Sequence, residues 1–299
     1  MNRVDRCPIC DGGELTPFAA VRFAQHQLHF AQVRCKGCGL LIAQPQAGAA
    51  DLDAYYKRTY YQVRWSDDEA LWRQNLAAHR RYTLPVLRRL CPGILDRPSA
   101  VLEIGCGYGS MLGVLRDAGH RTVGLEISVK AAAFCRRNTL TVVAGRWPDI
   151  PFRSACFDVV MARHVIEHLP DPRAFMASVV QLVRPGGFVV IETENARIAQ
   201  YQWDRVRSHA RLRVPPYRSS TDHTFVFRPA HLRRLMRDAG CDWVASTSFA
   251  EIPDGEALHW RLYKGLFRTM DRLAGGGEMV MAAGRRAAAG DAPSDVRHQ

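Results

Sequence analysis

From Ala100 onward, short apolar runs alternate with stretches in which apolar residues recur three or four positions apart. The runs are AVLEI (100 to 104), TVGLEI (122 to 127), TVVAG (141 to 145), FDVVMA (157 to 162) and FVVIET (188 to 193). Strands that are apolar on both faces, separated by helical segments, predict a parallel sheet covered by helices on each side. After Pro229, HLRRLMRDAG reads as helix and DWVASTSF as strand; a helix near 256 to 273 and the run EMVMAA follow. That order predicts a strand, a helical insertion and a final strand that close the sheet as an antiparallel pair.

Two other patterns precede Ala100. Between Pro45 and Pro98, DLDAYYKRTYYQVRW and ALWRQNLAAHRRYTLPVLRRL are rich in aromatic residues, and Leu71, Leu76, Tyr82 and Leu87 are spaced for one amphipathic helix or a pair, with Pro85 breaking or kinking it. This region is expected to pack on the sheet or to bridge it as a lid. Near the N-terminus, CPIC (Cys7, Cys10) and CKGC (Cys35, Cys38) flank strand-like segments. Two C-x-x-C knuckles complete the tetrahedral four-thiolate shell that structural zinc prefers. The rival, a redox C-x-x-C, ordinarily stands alone at the start of a helix. A closed shell leaves no open coordination position, so the metal would stabilise folding. The expected organisation is a zinc ribbon (1–45), a helical aromatic linker (46–97), an α/β domain (98–287) carrying an insertion (196–222), and a disordered tail (288–299).

Candidate chemistry begins at VLEIGCGYGSML, a strand running into a loop with Gly105, Gly107 and Gly109. The spacing is G-x-G-x-G, and Glu103 sits two residues before the first glycine. A carboxylate there repels a pyrophosphate but can hold an ammonium group. Glu126 ends the next strand, where an acid can accept both hydroxyls of an unphosphorylated ribose. An ammonium and a free ribose on one ligand fit S-adenosylmethionine; an ordinary nucleotide fold with another ligand is the alternative.

VLEIGCGYG, VGLEIS, FDVVMARHVIEHLPDP and LVRPGGFVVIETEN resemble successive motifs of class I S-adenosylmethionine-dependent methyltransferases, from Ala100 to about Arg286. CPIC, CKGCGLLIAQPQ and YYKRTYY resemble the ribbon and linker of a bacterial subgroup found with sugar, polysaccharide and natural-product biosynthesis. The resemblance implies a Rossmann-like seven-stranded sheet and a cofactor set of Glu103, Gly105, Cys106, Gly107, Gly109, Glu126, Ile127, Trp147 and Arg163. The chain departs from the family where an Asp commonly follows the third strand: it has Gly145, Arg146 and Trp147. Adenine is therefore expected at backbone groups and the Trp147 ring, with Asp149 as a substitute.

The segment HVIEH falls at the carboxyl end of the fourth strand, the edge where open α/β sheets bind ligands. Three readings of His164, Glu167 and His168 stand side by side. A histidine takes a proton from an acceptor hydroxyl, as its ordinary pKa of about 6.5 suits. Alternatively the three side chains hold a second divalent metal with His223: the order resembles the E-x-x-E-H segment of ubiquinone-pathway O-methyltransferases and small-RNA terminal 2'-O-methyltransferases, and DHTFVF resembles a further ligand region of the latter. Imidazoles in place of the first Glu favour zinc, manganese or iron over magnesium. In the third reading they only pin a turn. His168 is the leading catalytic candidate and His223 its partner across the site.

Charge changes the picture of the acceptor. The chain carries a net +12, and Arg205, Arg207, Arg211, Arg213 and Arg218 crowd into the insertion, able to receive phosphate or carboxylate groups or simply to face water. The expected activity is O-methylation of a sugar, glycan or secondary-metabolite hydroxyl, with a phosphate-bearing acceptor among the options. An RNA methyltransferase using the basic surface and ribbon is the main rival, and a non-catalytic binding module of the same fold is the third class. No signal-peptide core and no run of 18 apolar residues is present, so a soluble, cytoplasmic protein without a membrane span is expected.

Overall fold

The computed structural model describes residues 3–22, 29–46, 69–195, 223–249 and 279–288. The insertion, with its five arginines, the first part of the aromatic linker, the helix expected near 256 to 273 and most of the tail lie outside the described residues.

A seven-stranded sheet runs in the order β10-β11-β8-β7-β4-β5-β6. Its parallel strands are β4 (Ala100–Ile104), β5 (Arg121–Glu126), β6 (Val142–Ala144), β7 (Phe157–Arg163) and β8 (Val183–Glu194). The antiparallel closing pair is β10 (Cys241–Phe249) and β11 (Met279–Arg286), as the pattern predicted. Strand alternation sorts the core. Leu102, Ile104, Val160, Ala162, Val189 and Ile191 pack on one face; Val101, Val159, Met161, Phe188 and Val190 pack on the other. At the carboxyl ends of the strands the second set continues into Glu103, Arg163 and Glu192, so the face that is apolar along its length ends in charge.

One strand is longer than its apolar run. β8 begins at Val183, five residues before Phe188, because Arg184 to Gly187 form an irregularity between the pairs Phe157↔Val183 and Val159↔Phe188. A Cβ on Gly187 would stand 2.5 Å from the carbonyl oxygen of Asp158, so the close approach of the two strands calls for glycine there.

Helices α1 (Glu69–Ala78) and α2 (Leu84–Leu90) are joined by a π-helical turn, His79–Thr83. Pro85 has no N–H and crowds the preceding turn, so the expected break is absorbed as a widened turn in which Leu84 N donates to His79 O. The turn carries both His79 and Thr83 into the interior. Leu71, expected on the inner face, is exposed; Leu76 and its neighbour Trp72 instead reach Gly113 of α3 (Ser110–Asp117). The remaining helices are α4 (Val129–Arg137), capped by Ser128 accepting from Ala131 N, α5 (Pro172–Leu182), capped by Asp171, and α6 (Pro229–Asp238).

The N-terminal strands β1 (Leu15–Arg22), β2 (His29–Cys35) and β3 (Leu41–Gln44) form an antiparallel sheet whose fourth member, β9 (Phe225–Val226), comes from the far end of the chain. Cys7, Ile9, Leu40 and Ile42 belong to the same core cluster as Val160, Ile191 and Phe225.

Candidate active site

The glycine loop is held by its own neighbours. Gly105, Gly107 and Gly109 have φ of 70°, 56° and 70°, a region other residues enter at a cost. A Cβ on Gly107 would meet no heavy atom of the described residues within 4 Å, so there backbone conformation calls for glycine and a ligand can approach the main chain. A Cβ on Gly105 would come within 2.5 Å of Val165 Cγ2, so the loop and the HVIEH segment lie in contact. Gly105 N and, more loosely, Cys106 N donate to Leu125 O. Glu126, 1% exposed, accepts from Gly107 N and from Ser128 N, each at 2.7 Å. The acid expected at the ribose therefore also ties the loop to β5. Ile127 follows it, half-buried.

Glu103 is buried, and its Oε2 has no hydrogen-bond partner among the described residues. Burial pushes its pKa up to about 7, although Arg163, with Nη1 3.9 Å from Oε1, pulls the other way. A buried carboxylate with one oxygen left to accept, beside a left-handed glycine loop, fits the ammonium end of S-adenosylmethionine. Arg163, paired in register with Glu192, donates to Glu192 Oε1 from Nε (3.1 Å) and Nη2 (2.9 Å). Its Nη1 lies 3.3 Å from His79 Nε2. Arg163 Nη2 lies 3.4 Å from His79 Nδ1, which is also 3.1 Å from Thr83 Oγ1.

The histidine cluster sits next to this network. Ile166–His168 form a 3-10 turn, and His164 before it takes φ of 52°, a strained conformation for a residue with a Cβ. His164 Nδ1 lies 3.3 Å from Glu167 Oε1, and Nε2 lies 3.7 Å from Glu192 Oε1. Its surroundings push its pKa down, but these carboxylates outweigh them and the net shift is upward. Glu167 is 1% exposed; burial alone would raise its pKa, yet His164, His168 and His223 bring it down to about 2. The rings of His168 and His223 meet with centroids 4.8 Å apart. One ligand atom each from Glu167, His168 and His223 lies within 4.8 Å of the others. His164 stands outside that triplet and pairs with Glu167 from one side. On the other side His223 Nδ1 lies 3.3 Å from Glu194 Oε2, an ion pair that lowers the pKa of Glu194 despite its burial.

The four cysteines of the ribbon also converge. Their sulfurs all lie within 4.8 Å of one another, with Cys7 and Cys38 at 3.5 Å and Cys10 and Cys35 at 3.4 Å. These separations are too long for a disulfide, at about 2.05 Å, and close to the roughly 3.8 Å edge of a tetrahedron with Zn–S of about 2.3 Å. The donor set fits zinc.

Trp147, expected at adenine, turns toward α5: its Nε1 donates to Ser178 Oγ and its ring meets Phe175 edge-on. Arg146 and Asp149 form an exposed pair at 3.7 Å. Glu192, Glu194, His79 and Thr224 were not singled out from the sequence. The acids had a signal in the E-T-E that ends an otherwise apolar strand; His79 had none, since only the π turn carries it inward.

A family model described as a methyltransferase domain matches residues 76–246, more than half of the chain. Among curated proteins, the ubiquinone biosynthesis O-methyltransferase of Aromatoleum aromaticum is 32% identical over 151 residues, 48% of this chain and 63% of that protein. Its counterpart in Thiobacillus denitrificans is 31% identical over 48% of this chain and 64% of its own length. The chain thus spans less than two thirds of these relatives. Among solved structures, the 1,6-didemethyltoxoflavin-N1-methyltransferase of Burkholderia thailandensis superposes with a TM-score of 0.52 at 19% identity, covering 90% of this chain and 100% of that one. A methyltransferase of Archaeoglobus fulgidus gives a TM-score of 0.50 at 17% identity, with 76% and 97% covered. At these identities the structural matches speak for the fold alone. The seven-stranded sheet, the glycine loop with its acids and the matched family model lead to one conclusion: the chain belongs to the methyltransferase-domain family, on the class I S-adenosylmethionine-dependent fold.

Proposed function

We propose that this protein is an S-adenosylmethionine-dependent methyltransferase that methylates a hydroxyl group of a small molecule, the sugar, glycan or secondary-metabolite class expected from the sequence. The observation that carries the reading is the contact between the two halves of the site. Val165 packs on Gly105, so the loop that would hold the cofactor adjoins the turn that presents His164, Glu167 and His168. The names of the curated relatives support oxygen as the acceptor atom.

S-adenosylmethionine, when bound, supplies an electrophilic methyl group; the chain has to place the acceptor in line and remove one proton. Glu103 holds the ammonium end and Gly107 leaves its backbone accessible. His168 takes the acceptor proton. Glu167 stays ionised because its pKa lies at about 2, and its charge stabilises the imidazolium that results. Glu194 orients His223 against the His168 ring.

A second reading has a specific observation behind it. Glu167, His168 and His223 are grouped closely enough to share one divalent cation, which would orient the acceptor hydroxyl and lower its pKa; two imidazoles and a carboxylate suit zinc, manganese or iron. The experiment is transfer of labelled methyl from S-adenosylmethionine into a source-cell lysate fractionated into RNA, glycans and small molecules, with and without added manganese. Label in glycans or small molecules supports the proposal. Label in RNA favours the nucleic-acid reading, stimulation by manganese favours the metal reading, and absence of label in every fraction favours a binding module.

A further inference from the structure

The ribbon reaches the histidine site through Thr224. Thr224 O accepts from Ala43 N of β3 at 2.9 Å, while Thr224 N donates to Glu167 O at 2.7 Å. Thr224 Oγ1 reaches His168 O at 3.5 Å. The residue before it is His223, whose ring faces His168, and the residues after it form β9, paired with β3 through Leu41↔Val226 and Ile42↔Phe225. Beyond β9, Phe227 bridges to Asn195 at the end of β8. The segment bearing His223 is therefore clamped between the ribbon on one side and the main sheet on the other.

Both cysteine knuckles are gripped by the helices of the main sheet. Arg173 of α5 donates to Pro8 O and Ile9 O, each at 2.6 Å. His231 of α6 lies 3.0 Å from Cys38 O through Nε2. A ribbon that served as a free recognition module would not share its core with the catalytic sheet or have its knuckles tied at both ends.

We infer that the four-cysteine ribbon is a positioning element of the histidine site: through Ala43 and Thr224 it sets His223 against His168 and Glu167. The inference rests on the reading of that cluster as the site of methyl transfer. It assigns β3 a role in turnover although no β3 residue touches the reacting atoms. A shift of about 1 Å in a site residue costs up to about a hundredfold in rate, so loosening this clamp is expected to lower kcat while leaving the glycine loop intact.

The test is Ala43→Pro, which removes the N–H that Thr224 O accepts without altering a cysteine or a site side chain. Four quantities are read on the zinc-loaded full chain: zinc content, S-adenosylmethionine affinity by calorimetry, the His168–His223 ring contact by nuclear Overhauser effect, and kcat and KM on the fraction that accepts label. The expected result is loss of the ring contact and a fall in kcat of about tenfold to a hundredfold, with cofactor affinity within about twofold. The exposed pair of Lys36 with Glu14 supplies the control, and Lys36→Ala should leave all four readings unchanged.

An intact ring contact with unchanged kcat overturns the inference. So does a raised KM alone, which would make the ribbon an acceptor-binding face. Loss of cofactor affinity together with the ring contact overturns it as well, because the ribbon would then be supporting the whole fold. If the wild-type protein transfers no methyl at all, the methyl-transfer reading fails, and the ring contact still reports whether β3 places His223.

Discussion

The two halves of the site are built in opposite ways. On the cofactor side, Glu103, Gly105, Gly107, Gly109 and Glu126 come from one β-α-β stretch, and Glu126 is satisfied by backbone N–H groups close at hand. On the histidine side, the 3-10 turn, Glu192 and Glu194 on β8, and His223 before β9 come from three separated segments, and the ribbon strand β3 adds a fourth. Neither Glu167 oxygen has a well-formed hydrogen bond among the described residues. The first half is a local structure that forms once its strand and helix form. The second exists only when distant elements are packed, so its groups are held by charge and by tertiary contacts.

The sharpest way to separate the halves is Gly107→Val. A β-branched residue at φ of 56° is strained, and its side chain would occupy the approach to the backbone; S-adenosylmethionine affinity should drop at least a hundredfold, read by calorimetry, while zinc content remains unchanged. Retained binding would place the cofactor elsewhere. His168→Ala breaks the other half: turnover should fall by about a hundredfold to ten-thousandfold, with cofactor affinity altered by no more than about twofold. Wild-type turnover would return His168 to a purely structural role.

A smaller effect comes from Glu103→Gln, which should weaken S-adenosylmethionine binding by about tenfold and remove the part of its pH dependence that Glu103 supplies, leaving that of the ligand's own amino group at about 8. The sign follows from the raised pKa. In the wild type Glu103 changes from neutral to charged near pH 7, so affinity for a ligand carrying an ammonium group should rise as pH climbs through 7. The cofactor-free fold should move the opposite way: the stability associated with this group is fully present below its ordinary value of 4.5 and is lost as pH rises through about 7. Isothermal titrations across pH 7 check the first, and a thermal unfolding series running from below pH 4.5 to above pH 7 checks the second. The smallest effect belongs to Lys36→Ala, whose ion pair has side chains 56% and 68% exposed; unfolding free energy should change by less than about 1 kcal/mol.

Much of the cofactor half was legible in the sequence because its information is local. Short continuous apolar runs, a glycine triplet and acids at two strand ends placed β4, β5 and the loop between them. The four cysteines were legible too, since spacing alone brings each pair of sulfurs to one knuckle. What the pattern missed was what depends on register and packing. Val183 to Gly187 carry no strand signature, yet they extend β8. Pro85 signals a break, and only the packed helix shows that the break becomes a π turn that points His79 at Arg163.

By itself the sequence determined the layer order of the sheet, the glycine loop, the acids beside it and the cysteine knuckles, because strand periodicity and turn chemistry operate within a few residues. Tertiary structure decided which acids share a face with Arg163, that His223 rather than His164 joins Glu167 and His168, and that the ribbon's third strand grips the segment that brings His223 there. The first outcome depends on the register of β4, β7 and β8; the others accompany the pairing of Ala43 with Thr224 across more than half the chain, a closure of a common core invisible to any local pattern.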